Sequence, residues 1–89
     1  MPRFFYVYVL RSLSDQGFYI GSTRDLRARV RVHNEGVVPS TRPRRPFELI
    51  FYEAYRSEQD AKRREVYLKS TKGRTTLKTM LHDFLEETD

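Results

Sequence analysis

Phe4-Phe5-Tyr6-Val7-Tyr8-Val9-Leu10 is followed by Ser12-Leu13-Ser14-Asp15-Gln16-Gly17 and then by Phe18-Tyr19-Ile20-Gly21. The first run is aromatic and β-branched, the composition of a strand buried on at least one face. The second is turn chemistry, in which Asp15 and Gly17 are the residues suited to positive φ. The third reads as a short strand that Gly21 ends, at a sharp turn of the chain. Residues 4–21 therefore predict a β-hairpin with a longer loop, whose first strand puts Tyr6 and Tyr8 on one face.

Beyond Gly21 the period changes. Ser22 with Asp25 three residues on resembles a capping box and predicts a helix over 23–35. Leu26, Val30 and His33 recur along its apolar face, with Arg24, Arg27 and Arg31 on a neighbouring ridge. Residues 37–46 hold three prolines and three arginines and read as an extended cationic loop. Phe47 to Tyr55 is a third strand. Ser57-Glu58-Gln59-Asp60 is another capping box, opening a helix to about Ser70, and Lys72-Gly73 breaks it. From Thr75 or Thr76 a last helix carries Leu77, Met80, Leu81, Phe84 and Leu85 as one apolar stripe. The order β-β-α-β-α-α predicts an α+β fold, a small three-stranded antiparallel sheet flanked by helices.

Eighty-nine residues allow one domain, here 1–89 with an acidic tail from about residue 83. Six Tyr and six Phe argue against disorder. The formal charge of +5 understates its asymmetry, because four of the last seven residues are acidic, leaving eight acids against 17 cations over residues 1–82, a net of +9. Seven Arg against two acids lie within residues 24–45, and thirteen of the 17 cations are Arg, whose planar fork suits phosphate. This balance points to a polyanion, nucleic acid ahead of a membrane, since no basic amphipathic helix with an aromatic face is present. The absence of cysteine excludes disulfides and thiolate metal sites. With no apolar run that reads as a signal peptide or a membrane span, the expected location is the cytoplasm.

Two helix positions break the apolar pattern. The inward stripe of the 57–70 helix runs Ala61, Glu65, Leu68, placing a carboxylate at its centre. Arg29 sits on the shoulder of Leu26 and Val30, with His33 one turn further on. A charge at a buried edge costs several kcal/mol unless it is paired or given a metal. An Arg29–Glu65 salt bridge satisfies that demand, and single tyrosines in strands are ordinary core residues. Taken together, Tyr8, Tyr19, Arg29, His33 and Glu65 offer a carboxylate for a divalent cation, a guanidinium for phosphate and phenols that carry protons.

Tyr6-Val7-Tyr8, eleven residues from Tyr8 to Tyr19, Tyr19-Ile20-Gly21, and Arg29 ten residues beyond Tyr19 resemble the GIY-YIG nuclease family. Gly21-Ser22-Thr23 with Leu26, Arg29 and His33 resembles its helix, and Glu65 in Ala61–Lys69 its metal-binding glutamate. The resemblance spans nearly the whole chain and is greatest to small stand-alone bacterial members. It implies phosphodiester hydrolysis with one divalent ion, Mg²⁺ or Mn²⁺, held by Glu65. Arg29 would hold the phosphate, one tyrosine, Tyr8 ahead of Tyr19, would accept the proton of the attacking water while the other orients water or phosphate, and His33 would share the proton chemistry through Tyr8. Tyr6 stands where the family name has Gly, and the Asn that many members carry after the glutamate helix is missing, Asn34 being the only Asn. Lys69, Thr71 and Lys72 are the candidates for its place. Docking falls to Arg24, Arg27, Arg31, Arg42, Arg44, Arg45, Lys69 and Lys72, which grip phosphate without reading sequence. The expected partner is nucleic acid, DNA ahead of RNA, with a separate targeting protein. Two alternatives share the fold: a module that binds nucleic acid without cutting, and a protein-interaction domain using Phe4, Phe5 or the last helix.

Overall fold

A computed structural model describes residues 3–87. Strand β1 (Phe5–Ser12) is central, between β2 (Phe18–Thr23) and β3 (Phe47–Tyr55), and both pairings are antiparallel. Helix α1 (Leu26–Asn34) precedes β3, and α2 (Glu58–Lys69), α3 (Thr71–Met80) and α4 (His82–Glu87) follow it. The predicted α+β architecture and element order hold. No helix among the described residues is long and apolar enough to cross a membrane.

Period-two alternation in β1 divides the core between two faces of the sheet. Val7 and Val9 pack with Ile20, Ala61, Leu68 and Leu77, under α2 and α3. Tyr8 and Leu10 pack with Phe47, Leu49, Leu26 and Val30, under α1. Ile50 is the extra residue of a bulge opposite Val9 and Leu10, so Ile50 and Phe51 both reach the α2–α3 side.

Several local expectations are corrected. Gly21 does not end β2. It pairs with Tyr8 inside the strand, which runs on through Ser22 and Thr23. The cap of α1 is Asp25, not Ser22. Its carboxylate accepts from Ala28 N at 3.1 Å, a contact worth about 1 kcal/mol, while Ser22 is held in the ladder opposite Val7. The positive φ of the hairpin loop falls on Gln16, at 64°. Residues 37–46 are not extended. A 3₁₀ turn at Arg42–Arg44 folds the loop back, and Leu13 N and Ser12 Oγ donate to the carbonyls of Pro46 and Arg44 at 2.8 and 2.6 Å. Arg44 completes this staple with an ion pair to Asp15 at 2.8 Å.

Ser57 does cap α2, but through its backbone carbonyl, with no side-chain bond. The break after α2 lies at Ser70 rather than at Lys72-Gly73. The Ser70 hydroxyl donates to Tyr67 O at 2.6 Å and accepts from Gly73 N at 3.0 Å, ending one helix and starting the next. Gly73 belongs to the first turn of α3, where it lies against the Tyr67 carbonyl. Of the last stripe, Leu77 is buried, but the helix stops at Met80, which is exposed beside Arg64. The acidic residues Asp83, Glu86 and Glu87 lie on α4, with Asp89 outside the described residues.

A Cβ at position 73 would fall 1.9 Å from the backbone oxygen of Tyr67, so Gly73→Ala should cost about 1–3 kcal/mol of stability in urea denaturation. The Arg44 hydrogen bond, with help from Gly17 N–H, holds the Asp15 carboxyl at about 2, against an ordinary 3.8. Its stabilising effect is complete above pH 3.8 and is lost as pH falls towards 2, and Asp15→Asn should remove that part of the acid-unfolding limb.

Candidate active site

Tyr8 leaves the middle of β1 opposite Gly21 of the edge strand β2. A Cβ at position 21 would lie 2.5 Å from the Tyr8 hydroxyl and 2.7 Å from its ring. Bare glycine backbone is thus the floor over which the phenol crosses β2. Two side chains of α1, one turn apart, meet its oxygen. Arg29 Nε donates to it at 3.3 Å, and His33 Nε2 lies 3.2 Å away.

The hydrogen-bond chain behind His33 sets its tautomer. Thr41 Oγ1 donates to Val38 O at 3.3 Å and lies 2.9 Å from His33 Nδ1. Assigning the one Thr41 hydroxyl proton to Val38 O leaves the ring proton on Nδ1 and the lone pair on Nε2. The Tyr8 O–H therefore donates to Nε2. His33 is fully buried, and Tyr19 lies against it with ring centroids 4.7 Å apart.

The opposite side of the same edge carries the acid. Ser22 follows Gly21 and points to the other face, where its hydroxyl donates to Glu65 Oε1 at 2.6 Å. Lys69, one turn along α2, donates to Oε2 at 2.6 Å. Burial pushes the Glu65 carboxyl up, but the Lys69 and Ser22 hydrogen bonds and the Lys69 and Lys62 charges outweigh it and leave the acid ionised below its ordinary range. Tyr8 balances the other way. Burial raises its phenol above the ordinary value despite the hydrogen bond and charge of Arg29, with Tyr19 and Glu65 adding to the rise. His33 is lowered by burial first and by Arg29 second. The resting state is a neutral phenol donating to a neutral imidazole, between a guanidinium and a carboxylate.

The GIY-YIG catalytic domain profile matches residues 4–78. This chain belongs to the GIY-YIG catalytic domain family. It is 42% identical over 68 residues to the UPF0213 protein YazA of Bacillus subtilis, covering 75% of this chain and 66% of that one. A UPF0213 protein of Clostridium perfringens is 37% identical over 65 residues, covering 72% and 69%. Another, of Staphylococcus haemolyticus, is 35% identical over 74 residues, covering 82% and 89%. The chain spans about two thirds of the length of the first two. The family is one of nucleases acting on nucleic acid, generally with a divalent metal.

The two GIY-YIG triplets, Tyr6-Val7-Tyr8 and Tyr19-Ile20-Gly21, lie on paired strands, so the glycine of the second faces the tyrosine of the first. Tyr6 stands at the family's first glycine without conflict, edge-on to Tyr52 with ring centroids 6.0 Å apart. The fold brings Tyr8, Tyr19, Arg29 and His33 together, with Glu65 across the strand. The Arg29–Glu65 ion pair is not formed, since each has nearer partners in Tyr8 and Lys69. Asn34 serves the fold, its amide accepting from Phe47 N at 2.7 Å and donating to Phe47 O at 3.0 Å. Of the family Asn substitutes considered, Lys69 is the one on Glu65. Ser22 and Thr41 were missed as site residues. Ser22 carried a signal beside the second triplet that was read as a cap, and Thr41 carried none.

The cationic set is divided. Arg24, Arg27, Arg31 and Lys72 are exposed. Arg42 Nε donates to Gly36 O at 2.7 Å and Arg45 Nε to Arg42 O at 2.9 Å, bracing the loop. Arg44 is held by Asp15, and Lys69 by Glu65.

Thr41→Val removes the acceptor of a buried N–H and should cost about 1–3 kcal/mol in chemical denaturation. Imidazole ¹⁵N shifts should show the Nδ1-protonated tautomer of His33 in the unaltered protein and its loss from dominance in the variant.

Proposed function

We propose that this chain is an endonuclease that hydrolyses DNA phosphodiester bonds with one divalent ion, Mg²⁺ or Mn²⁺, and little sequence specificity. The observation that carries this reading is the Tyr8 hydroxyl, held between the Arg29 guanidinium and the His33 lone pair, with the ionised Glu65 across the glycine floor. Glu65 fits the ion by its donor chemistry. It is charged, it shares its shell with the Ser22 hydroxyl, and one of its oxygens already faces a cation, Lys69. One carboxylate suits Mg²⁺, which keeps several waters of its own. When bound, the ion polarises the scissile phosphate and stabilises the departing oxygen.

Arg29 holds a non-bridging oxygen and offsets the charge that develops on it, keeping Nε on Tyr8. Tyr8 acts as a relay, because burial keeps its proton on in the free protein. As the water oxygen bonds to phosphorus, its proton passes to Tyr8 Oη and the Tyr8 proton passes to His33 Nε2. His33 becomes imidazolium, steadied by Nδ1–H on Thr41, and the departing oxygen takes a proton from solvent. Tyr19 packs on the imidazole and keeps it aimed. Arg24, Arg27, Arg31 and Lys72 supply docking to phosphates, with Arg42, Arg44 and Arg45 contributing through their loop. Such docking weakens steeply with salt and leaves target choice to the shape of the DNA or to a targeting partner. The cysteine-free chain suits a reducing cytoplasm.

Plasmid nicking in Mg²⁺ or Mn²⁺ tests the reading. Glu65→Gln and Tyr8→Phe should each slow it about 100-fold or more, and wild-type rates in both would overturn these roles. Salt-sensitive binding without turnover in either metal would assign the non-cleaving module instead. Because His33 must be neutral to accept the proton, activity should fall on acidification only below the ordinary histidine value of 6.5. Lys69→Met should tighten Mn²⁺ binding about two- to five-fold by removing the competing ammonium, read by titration calorimetry.

A further inference from the structure

Helix α1 covers only half of its face of the sheet. Tyr8, Leu10, Phe47 and Leu49 lie beneath it. On the same face, opposite Tyr8 and Tyr6 in the β1–β3 register, stand Tyr52 and Ala54. Among the described residues nothing covers this half. Tyr52 is 52% exposed, and Ala54 is exposed as well. The Tyr6 ring stands edge-on to Tyr52 at 66°, bracing its orientation. The start of α1 forms one wall of the open space, which Tyr6, Tyr52, Arg24, Asp25, Leu26 and Arg27 line.

Two features distinguish this patch from an ordinary exposed tyrosine. Its rim is cationic, with Arg24 and Arg27 both exposed. The acid nearest in sequence, Asp25, is occupied in capping Ala28 N. The Arg24 guanidinium lies over the Phe5 ring, 5.2 Å from its centroid, and meets Glu58 at 3.7 Å between exposed side chains, so it reaches a phosphate at this rim by turning from the opposite face of β1. The patch also lies on the same face of the sheet as the candidate active site, with Tyr52 the cross-strand partner of Tyr8, whose phenol extends the other way over β2. Aromatic faces ringed by guanidinium groups fit nucleobases with their phosphates. A duplex keeps its bases stacked inside, so only an unpaired strand can use such a platform.

We propose that Tyr52, braced by Tyr6 and rimmed by Arg24 and Arg27, is a stacking site for an unpaired base of single-stranded DNA. The strand's neighbouring phosphate then enters the Tyr8–Arg29 site. This rests on the nuclease reading above and adds a preference for unpaired strands.

The chain has no Trp, so Tyr52→Trp places a single reporter on the platform. In chelator, to prevent cleavage, oligothymidine should quench its emission and an abasic strand of equal length and charge should not. In Tyr52→Ala, the ratio of affinity for oligothymidine to that for the abasic strand should fall about ten-fold by fluorescence anisotropy, whereas Tyr52→Phe should keep it. Equal quenching by both strands, or an unchanged ratio in Tyr52→Ala, overturns the platform, and continued metal-dependent nicking in that case leaves the nuclease reading standing. If no strand binds at low salt, both fall together.

Discussion

The arrangement depends on one missing atom. Tyr8 and Gly21 are direct partners across β1 and β2, and the phenol lies across the glycine with its oxygen 2.5 Å from where a Cβ would stand. A larger residue at 21 would push the ring off Arg29 and His33, because the β1–β2 ladder fixes the backbone of both partners. Glycine in a strand interior costs conformational entropy and packs nothing. Here that cost allows a core tyrosine to present its hydroxyl at the edge of the sheet. The next residue, Ser22, points to the opposite face and holds Glu65. Two adjacent residues of β2 thereby connect groups from helices on opposite sides.

Burial and charge act against each other at this edge. Covering the Tyr8 ring favours the neutral phenol, and the Arg29 charge favours the phenolate, with burial the stronger. Covering His33 and placing it near Arg29 both favour the neutral imidazole. The result is a proton poised between two neutral groups, with the tautomer set by Thr41 some distance along the chain. Glu65 differs because it has two donors and a lysine charge, which keep it ionised despite partial burial. A site of this kind presents opposite charges on its two flanks and a transferable proton between them.

The arginine-rich segment divides its labour in a way its composition conceals. Asp15, Ser12 and Leu13 in the hairpin loop tie down Arg44 and Pro46, so part of the positive charge is structural. Thr41 belongs to this same folded loop, and the staple that fixes the loop also fixes the orientation of His33. Of the segment's exposed cations, Arg42 and Arg45 are bonded to loop carbonyls, while Arg24 precedes α1 and Arg27 and Arg31 lie on it. Net charge alone does not separate the two groups, because an arginine bonded to a carbonyl and one facing solvent count equally.

The hairpin, the third strand and the amphipathic helices were legible because their periods are local properties of the chain. Tyr8, Tyr19, Arg29, His33 and Glu65 were singled out by the patterns they break and by their resemblance to the family's motifs. Less legible were the boundaries, where neighbours far in sequence compete. Ser22 has a capping side chain, but pairing with Val7 kept it in the strand and left the cap to Asp25. Gly73 carries a helix-breaking signal, yet Ser70 makes the break and Gly73 fits under the Tyr67 carbonyl. By itself the sequence determined the element order, the division of β1 between two faces and the residue types at the site, since each follows from neighbours a few positions apart. Only the tertiary structure decided that Gly21 is a floor and not a turn, that Glu65 meets Ser22 and Lys69 rather than Arg29, and that Thr41 sets the His33 tautomer. The Ser22–Glu65 and His33–Thr41 contacts join residues 43 and 8 positions apart and depend on how the helices and the loop pack on the sheet, whereas Lys69 meets Glu65 one turn along the same helix.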